Sequence, residues 1–397
     1  MFKDLIKIIL FIIIRIIPRD KNLLVFGDRA GRRLADNSRH LFFYLNKNYN
    51  EFHCVWITKD PKILNYLRHN NYKAYFSNSI MGIYYCLRAK FHIYNFLEDD
   101  IHRFITLFSD SLLLWHGVLP KKLKPIDIQT SILSKYLNKK ILKFFIYPNK
   151  KLSNNILDRF SKNKYELLVS NLPRNLIFRE TKLNNMNYLR TKHEINFIKL
   201  IKRDKKNIFG YFPTWRSDGL ELFRDLKSLD QLKKLDKTLG KTKSLLLIKR
   251  HMNSDKKDKN ILYNKDSENI YKYMKSLKNF RFIDYNFDLN SVLSLCDVLI
   301  TDYSGVIFDF LYYDRPIISY APDYKIFKKQ NGFSFDPIEN KFTHYASNIG
   351  TLDNDIIKFH SNKKLFNNKF KNKRKIIKNQ VFQGDNEIEK IINLIKR

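Results

Sequence analysis

The sequence predicts an α/β protein of two domains in which parallel strands alternate with helices. Three observations lead to this class. Short apolar runs rich in Ile, Leu, Val and Phe recur along the chain and are separated by amphipathic stretches, which is typical of buried strands and their covering helices. A Lys- and Asn-rich segment of weak periodicity, residues 181–207, divides these runs into two halves. The 397 residues suffice for two domains with a core each, and such pairs commonly bind a ligand in the cleft between them.

The first element, residues 1–20, mixes apolar and basic residues. Its apolar run is shorter than the roughly 20 residues that span a bilayer. Arg15 interrupts it and no small-residue cleavage site follows, so a signal peptide does not fit. A helix that lies in an anionic membrane surface explains the mixture, and we adopt that interpretation. A first helix packed on the protein and a single-pass anchor stay open as alternatives.

Six buried strands are predicted in a first domain, residues 21–190. They cover residues 22–27, 52–58, 73–76, 91–95, 111–115 and 165–170. Helical stretches at residues 39–45 and 80–90 lie between them. Because strands and helices alternate, we expect the sheet to be parallel.

A second α/β domain, residues 191–397, continues the pattern. Its strands are predicted at residues 207–213, 244–249, 280–283, 298–301 and 317–320, with a helix at 291–295 and an amphipathic closing helix at 387–397. The acidic triplet at 353–355 precedes a helical stretch at 356–359. We interpret it as a helix cap rather than a metal clamp, and no metal site is predicted.

The charge balance is strongly basic, with 74 Lys and Arg against 39 Asp and Glu and a net charge of +35. Such an excess indicates nucleic acid, an anionic membrane or a phosphate-rich substrate as partner, although compositional drift in a biased genome would contribute. No nucleic-acid-binding module is present, so we do not expect nucleic acid as a partner. The three cysteines, Cys54, Cys86 and Cys296, are scattered, which argues against a disulfide framework or a zinc site.

The turn at residues 301–305 is the most informative local feature. Thr301, Asp302, Ser304 and Gly305 lie between a buried strand and an apolar helix. Backbone N–H groups and the positive end of a helix dipole make such a turn a phosphate site. The structural alternative is capping of the helix by Thr, Asp and Ser.

Other predicted strands also end in polar residues. Ligands of open α/β sheets bind outside the carboxyl ends of strands, so we expect these residues to share one site. One histidine after a strand is usually structural, but this chain has two, each beside glycine or cationic residues. These further strand-end candidates are His116, Gly117, Arg216, Lys249, Arg250 and His251.

An ordered series of motifs resembles the CDP-glycerol glycerophosphotransferase family. WHGVLPKKL at residues 115–123 is similar to the family's W-H-G-T-P-L-K-K-L, and YFPTWR at 211–216 fits Y-x-P-T-W-R. NLPRNL at 171–176 is similar to G-x-P-R-N-D, KRHM at 249–252 to R-x-H-P, and DNS at 36–38 to an early D-N-P/S element. Residues 284–305 resemble a long block that ends in L-I-T-D-Y-S-S, and FDF and RP follow it at 308–310 and 315–316.

The sequence departs from these motifs at three places. Val118, Leu119 and Pro120 replace T-P-L, which removes a hydroxyl beside the first histidine. Asn and Leu at 171 and 176 replace the Gly and Asp around Pro-Arg-Asn. Gly305 replaces the second Ser of the turn, and glycine still lets the backbone approach an anion closely. These changes bear on the nucleotide substrate more than on the reaction class.

The resemblance implies a GT-B-type arrangement of two Rossmann-like domains with the active site in the interdomain cleft. The implied donor is CDP-glycerol, the acceptor is a hydroxyl of a lipid-linked glycan or growing polymer, and CMP leaves. No tightly bound cofactor is implied. An anionic membrane with a lipid-linked acceptor suits the basic surface, so we expect a peripheral position at the cytoplasmic face of the cell membrane.

The same resemblance implies roles for single residues. His116 matches the family's proposed base, and His251 matches a second histidine that helps hold the donor phosphates. The donor-binding candidates are Arg216, Lys249, Arg250, Thr301, Asp302, Ser304, Gly305 and Asp309. The acceptor-side candidates are Gly117, Lys121, Lys122 and Arg174.

Three other functions stay open. A ribitol-phosphate transferase would use the same motifs, and a nucleotide-sugar glycosyltransferase would share the architecture. The charge alone would also permit a non-enzymatic protein that binds nucleic acid.

Overall fold

The computed structural model describes residues 2–123, 141–160, 165–179, 186–204, 206–214, 216, 222–250, 265–284, 286–383 and 388–397. The chain forms two compact units. The first comprises Met1–His116, Leu123–Thr191 and Phe382–Arg397, and the second comprises Gly117–Lys122 and Lys192–Val381.

The first unit is built on a sheet of seven strands, all paired in parallel. The strands are β1 (Asp20–Phe26), β2 (His53–Thr58), β3 (Ala74–Phe76), β4 (Ala89–Tyr94), β5 (Ser111–Leu113), β6 (Lys143–Tyr147) and β7 (Glu166–Val169). Their spatial order is β3-β2-β1-β4-β5-β6-β7. The order therefore reverses between β1 and β4, as in doubly wound folds.

Helices connect these strands. They are α1 (Phe2–Ile16), α2 (Asp36–Asn48), α3 (Pro61–His69), α4 (Ile80–Arg88), α5 (Arg103–Leu107) and α6 (Lys150–Phe160). Local sequence fixes two of the starts. Asp60 accepts a hydrogen bond from the backbone of Lys62 just before Pro61, and Ser79 accepts one from Gly82, which are favourable helix beginnings. The apolar faces pack on the sheet around Phe26, Phe42 and Trp56.

The second unit repeats this plan with six parallel strands. They are β8 (Asn207–Tyr211), β9 (Ser244–Ile248), β10 (Phe280–Phe282), β11 (Val298–Thr301), β12 (Ile317–Tyr320) and β13 (His344–Ala346). Their spatial order is β10-β9-β8-β11-β12-β13. The reversal falls between β8 and β11, where Ile300 lies opposite Tyr211.

Nine helices of the second unit lie within the described residues. They are α7 (Lys192–Arg203), α8 (Leu229–Lys241), α9 (Lys265–Ser276), α10 (Leu289–Leu293), α11 (Val306–Phe310), α12 (Tyr324–Asn331), α13 (Ile349–Ser361), α14 (Lys363–Asn368) and α15 (Lys371–Val381). The acidic triplet lies inside α13, and Asn348 caps this helix. The cap interpretation of residues 353–355 was therefore wrong, because the helix begins one turn earlier.

The last helix, α16 (Ile388–Lys396), belongs to the first unit. Ile391 and Ile395 are fully buried in the first core. The Nζ of Lys90 donates to the carbonyl of Ile395 at 2.8 Å, and Lys396 pairs with Glu51 at 3.1 Å. The sequence predicts this helix in the second domain, but the structure places it in the first unit. An amphipathic face does not reveal which sheet it covers.

The first helix, α1, packs on the first unit with some side chains and exposes others to solvent. Ile14 is buried, the ring of Phe11 meets that of Phe108 edge-on at 6.0 Å, and Arg15 pairs with Asp110 at 3.1 Å. Ile9, Ile12, Ile13 and Ile16 of the helix are exposed to solvent, Ile16 by 74%. Within the described residues, no helix combines the length and apolarity needed to cross a bilayer.

The predicted α/β class with two Rossmann-like, parallel sheets is confirmed. Two strands, β6 and β13, were not predicted. β13 has only three residues and exposes Tyr345, so it leaves no apolar run in the sequence. The eleven predicted strands agree with the structure to within three residues at either end.

Candidate functional site

The carboxyl ends of β8 and β11 meet at the switch point of the second sheet, where the strand order reverses. Ligands of doubly wound folds bind at this position. The chain leaves β8 at Tyr211 and leaves β11 at Thr301. The two following loops bring together several residues predicted for the donor site.

A network of buried hydrogen bonds joins the two loops. The hydroxyl of Thr301 donates to the carbonyl of Phe212 at 2.7 Å. Asp302 accepts from the backbone and hydroxyl of Thr214 at 2.8 and 2.6 Å, and from Nη2 of Arg216 at 2.8 Å. These side chains are therefore engaged inside the protein, where they fix the shape of the turn.

Arg216 lies at the centre of this network. Its Nη2 also approaches Asp323 at 3.4 Å, and its guanidinium lies 5.2 Å from the ring of Tyr303 and 5.1 Å from that of Phe327. Burial alone would lower the pKa of Arg216, but attraction by Asp302 and Asp323 outweighs it and raises the pKa. The guanidinium remains charged and holds both acidic residues in place.

The backbone N–H groups of Ser304 and Gly305 differ from the neighbouring polar groups of the turn, which are hydrogen-bonded. Among the described residues, neither N–H group donates a hydrogen bond. Gly305 precedes the short helix α11, and Ser304 is partly exposed. Two adjacent N–H groups of this kind can bind anionic oxygen. The exposed part of the predicted phosphate turn is thus its second half.

The remaining donor-side candidates lie on other elements of the second unit. Lys249 is buried and donates to the carbonyl of Asp284 at 2.9 Å. The guanidinium of Arg250 lies 4.7 Å from the ring of Tyr271 and 3.9 Å from a carboxylate oxygen of Glu268. Asp309 is buried in α11. The predicted catalytic residue His251 lies outside the described residues.

His116 follows β5 in the first unit, and its backbone is held at several points. Asn37 donates to the carbonyls of Leu114 and Trp115 at 3.3 and 2.8 Å. Arg174 donates to the carbonyl of His116 at 3.0 Å. Trp115 has a positive φ of 56°, an uncommon conformation for a bulky residue that needs such support.

Arg174 also contacts Asp36 and Asn37, so the residues that hold the backbone around His116 are joined to one another. Arg174 pairs with Asp36 at 3.0 Å, and its N–H donates to Asn37 at 3.0 Å. The sequence motifs containing residues 36–38 and 172–175 therefore meet around His116. Arg174 was predicted on the acceptor side, and its contacts show a bracing position. Asp36 and Asn37 were missed as site residues, although the D-N-S motif was a signal for them.

The ring of His116 is partly exposed and lies against aromatic neighbours. Its centroid is 4.1 Å from the Trp115 ring and 5.7 Å from the Phe96 ring. A histidine with a fixed backbone and an accessible ring can transfer a proton to or from a solute. The role of His116 as general base stays a prediction.

A buried carboxyl pair lies at the switch point of the first sheet. Asp28 accepts from Nδ2 of Asn95 at 2.9 Å, and Asp100 accepts from the backbones of Ala30 and Phe96 at 2.8 and 2.7 Å. The Oδ2 atom of Asp28 has no hydrogen-bond partner among the described residues. Burial, reinforced by the charge of Asp100, raises the pKa of Asp28 to about 7.

The acceptor-side candidates Gly117, Lys121 and Lys122 belong to the second unit. Gly117 has a φ of 107°, which only glycine adopts readily. Lys121 forms an isolated antiparallel bridge with Phe333, and Lys122 is exposed. Arg174 belongs to the first unit instead, and an acceptor-side role for the four residues stays a prediction.

Comparison with known proteins shows extensive similarity. The family model described as "CDP-Glycerol:Poly(glycerophosphate) glycerophosphotransferase" matches residues 9–396. The chain is 29% identical over 349 residues to the teichoic acid poly(glycerol phosphate) polymerase of Bacillus spizizenii, covering 83% of this chain and 81% of that protein. It is 26% identical over 352 residues to the polymerase of the same description from Bacillus subtilis, covering 82% of this chain and 42% of that one.

Solved structures show the same fold. A structure of a variant of the wall teichoic acid polymerase TagF, soaked with CDPG, has a TM-score of 0.66 and covers 95% of this chain and 89% of that chain. The two sequences are 19% identical over the matched region. The fold of this chain, an α/β architecture with two parallel sheets, is therefore similar to that of the polymerase.

Proposed function

Since the chain belongs to the CDP-glycerol:poly(glycerophosphate) glycerophosphotransferase family and is an enzyme of that class, we propose that it transfers glycerol phosphate from CDP-glycerol to a polymer hydroxyl. CMP leaves, and the product is a teichoic-acid-like or capsular polymer. The observation that carries this proposal is the family match over residues 9–396. The polymerases of the two Bacillus species support the polymer product.

The second unit binds the donor in this proposal. The N–H groups of Ser304 and Gly305 bind its phosphate oxygens. Lys249 and Arg250 supply positive charge together with His251, while Thr301, Asp302 and Arg216 keep the turn in shape. The carboxylate of Asp309 accepts a hydrogen bond from a hydroxyl of the ribose or glycerol. The TagF structure soaked with CDPG supports a CDP-linked donor.

The first unit supplies the base. His116 removes the proton of the acceptor hydroxyl, whose oxygen attacks the β-phosphorus of CDP-glycerol. The bond between that phosphorus and the oxygen bridging to CMP breaks, and CMP carries away the electron pair. The cations and N–H groups around the phosphates stabilise the charge that develops. Arg174 and Asn37 hold His116 in position.

The acceptor in this proposal is a lipid-linked glycan or growing polymer, reached from the cytoplasmic face of the membrane. Exposed apolar side chains on α1, α4 and α5 support a peripheral position. They are Ile9, Ile12, Ile13, Ile16, Ile80, Met81, Tyr84 and Phe104. Helix α5 contacts both α1 and α4 within the first unit, and the net charge of +35 attracts anionic lipid.

Substituting Ile12 and Ile16 by Glu tests the membrane surface. We expect loss of binding to vesicles that contain phosphatidylglycerol, measured by flotation, because the apolar face can no longer enter the lipid interface. Ile357→Glu, a comparable change on α13 of the second unit, is the control and should bind like the unmodified protein. Equal flotation of all three proteins would contradict this part of the proposal.

Donor competition tests the reaction itself. Purified protein with a lipid-linked acceptor is incubated with CDP-glycerol, CDP-ribitol or UDP-sugars, and CMP or UDP release is measured. We expect CMP from CDP-glycerol. Faster CMP release from CDP-ribitol would make the enzyme a ribitol-phosphate transferase, and UDP release alone would make it a glycosyltransferase.

A further inference from the structure

A six-residue segment, Gly117–Lys122, is held by the second unit although the chain on both sides belongs to the first. We call it the strap. The carbonyl of Pro120 accepts hydrogen bonds from the backbones of Ser334 and Phe335 at 2.8 and 3.0 Å. The backbone of Lys122 donates to Gly332 at 3.3 Å. Pro120 and Lys122 of the strap are thus hydrogen-bonded to the loop after α12.

The side chain of Ser334 adds two further contacts. Its hydroxyl lies 2.9 Å from the carbonyl of Leu119 and 3.0 Å from that of Pro120. Val118 is buried. A segment fixed in this way has few conformations, and its first residue is bonded covalently to His116.

The other side of the strap lies against the phosphate turn. A Cβ atom at position 305 would lie 2.4 Å from the carbonyl oxygen of Val118. Real Cβ atoms do not come this close to backbone oxygen, and a backbone atom cannot rotate away as a side chain can. Only glycine at 305 therefore lets the strap occupy this position.

Two of the sequence's departures from the family motifs meet at this contact. Val118, Leu119 and Pro120 replace one motif triplet, and Gly305 replaces a serine in another. A serine at 305 would carry the Cβ that the carbonyl of Val118 excludes. The two changes are therefore physically coupled in this chain.

We propose that the strap positions His116 and that Gly305 is the positioning residue that lets the strap bind. The hydrogen bonds of the strap begin at Leu119, three residues after His116, and Arg174 holds the carbonyl of His116 itself. A base displaced by about 1 Å can lose on the order of 10²-fold in rate. This inference rests on the proposed function, because it requires His116 to act as the base.

Gly305→Ala and Gly305→Ser test the contact. Both add the excluded Cβ, and the second also restores the hydroxyl of the family motif. We expect kcat with a soluble acceptor analogue to fall about tenfold or more. KM for CDP-glycerol should change less than about twofold, because the backbone N–H groups remain. A raised KM with unchanged kcat would assign Gly305 to donor binding alone and overturn the proposal.

Gly82→Ala is the matched control. A Cβ there would meet the carbonyl oxygen of Phe76 at 2.0 Å, so the crowding is of the same kind but lies in α4 of the first unit. We expect it to lower stability and to leave kcat of the folded protein unchanged. A loss of kcat equal to that of Gly305→Ala would mean that crowding in general impairs the enzyme, and the proposal would fail.

Ser334→Ala loosens the strap from its other side. We expect kcat to fall about threefold, and the double variant with Gly305→Ala should lose less than the product of the two single effects, since both act through one segment. Ser276→Ala removes a hydroxyl that donates to the carbonyl of Tyr273 on the exposed end of α9 and should have no effect. Independent, multiplicative effects would contradict a shared strap.

Amide hydrogen exchange separates this inference from the proposed function. Protection of the N–H groups of Lys122, Ser334 and Phe335 should fall in Gly305→Ala and persist in Gly82→Ala, whatever the donor is. If the unmodified protein releases no CMP from CDP-glycerol, the proposed function fails and exchange still decides whether Gly305 holds the strap. Unchanged protection in Gly305→Ala would overturn it.

Discussion

The phosphate turn of the second unit combines residues of two kinds. Asp302 and Arg216 form a buried ion pair at 2.8 Å that links the loops after β8 and β11. Ser304 and Gly305 instead present backbone N–H groups. The ion pair of Asp302 and Arg216 fixes the conformation of the turn. The N–H groups of Ser304 and Gly305 are the part of the turn that can bind an anion.

Asp302→Ala should therefore be strongly destabilising. Removal of one member of a buried ion pair costs about 3 kcal/mol, and Arg216 would keep only its longer contact with Asp323 at 3.4 Å. We therefore expect the free energy of unfolding to fall by about that amount in urea denaturation. Asp230→Ala, at an exposed position in the first turn of α8, is the control and should cost less than about 1 kcal/mol. Similar losses in the two variants would show that the ion pair contributes little.

The carboxyl pair of the first unit should make stability depend on pH. The pKa of Asp28 is raised from 3.8 to about 7, so the folded protein keeps a proton that the unfolded chain releases within that window. The free energy of unfolding contributed by Asp28 therefore falls as pH rises from about 4 to about 7. Asp28→Asn keeps an acceptor for Asn95 and removes the titration.

Urea denaturation at about pH 5 and about pH 8 measures this effect. We expect Asp28→Asn to gain stability relative to the unmodified protein at the higher pH. His92, whose pKa is lowered by burial to about 3, contributes equally to both proteins and cancels in the difference. A difference that does not change with pH would contradict a raised pKa for Asp28.

For single residues, the sequence predicted which side chains lie near one another better than it predicted the contacts that each side chain makes. Thr301, Asp302 and Arg216 do meet at a switch point, because strand-end positions follow from the strand pattern. That their side chains bind one another was not predictable, since the pairing depends on which loops become neighbours. Asn37 was missed for the same reason, because its partners Leu114 and Trp115 lie about 80 residues away in the chain.

The helices and strands show where periodicity is informative. Strands with a continuous apolar run, such as β11 and β12, have the predicted bounds. β13 has no such run and was missed. The closing helix was predicted as an element, but its partner sheet was not, since several apolar faces compete for one amphipathic helix.

Ile391→Ala tests the role of α16. Ile391 is fully buried in the core of the first unit, and its truncation should lower the free energy of unfolding by about 2–5 kcal/mol. Hydrogen exchange should increase in β1 and β4 and remain unchanged in β8 and β11. Lys390→Ala on the exposed side of the helix is the control, and increased exchange in the second sheet would contradict this assignment.

At the scale of the whole molecule, the two units share one architecture and have different roles in the proposed function. The first holds His116 within a braced loop and exposes apolar side chains on its helices. The second holds the turn whose N–H groups at Ser304 and Gly305 donate no hydrogen bond within the described part of the chain. The Lys- and Asn-rich segment suggested the change of unit near Thr191 and Lys192. The sequence could not show that the strap belongs to the second unit or that α16 belongs to the first. Only tertiary contacts determine to which unit such a segment belongs.

The most direct test of the proposed function measures CDP-glycerol binding and CMP release for the unmodified protein and for His116→Ala. We expect the unmodified protein to bind CDP-glycerol and to release CMP when a lipid-linked acceptor is added. His116→Ala should bind the donor with similar affinity and melt at a similar temperature, with CMP release reduced by about 10²-fold or more. Undiminished CMP release from the folded variant, or no CMP release by the unmodified protein, would contradict the account.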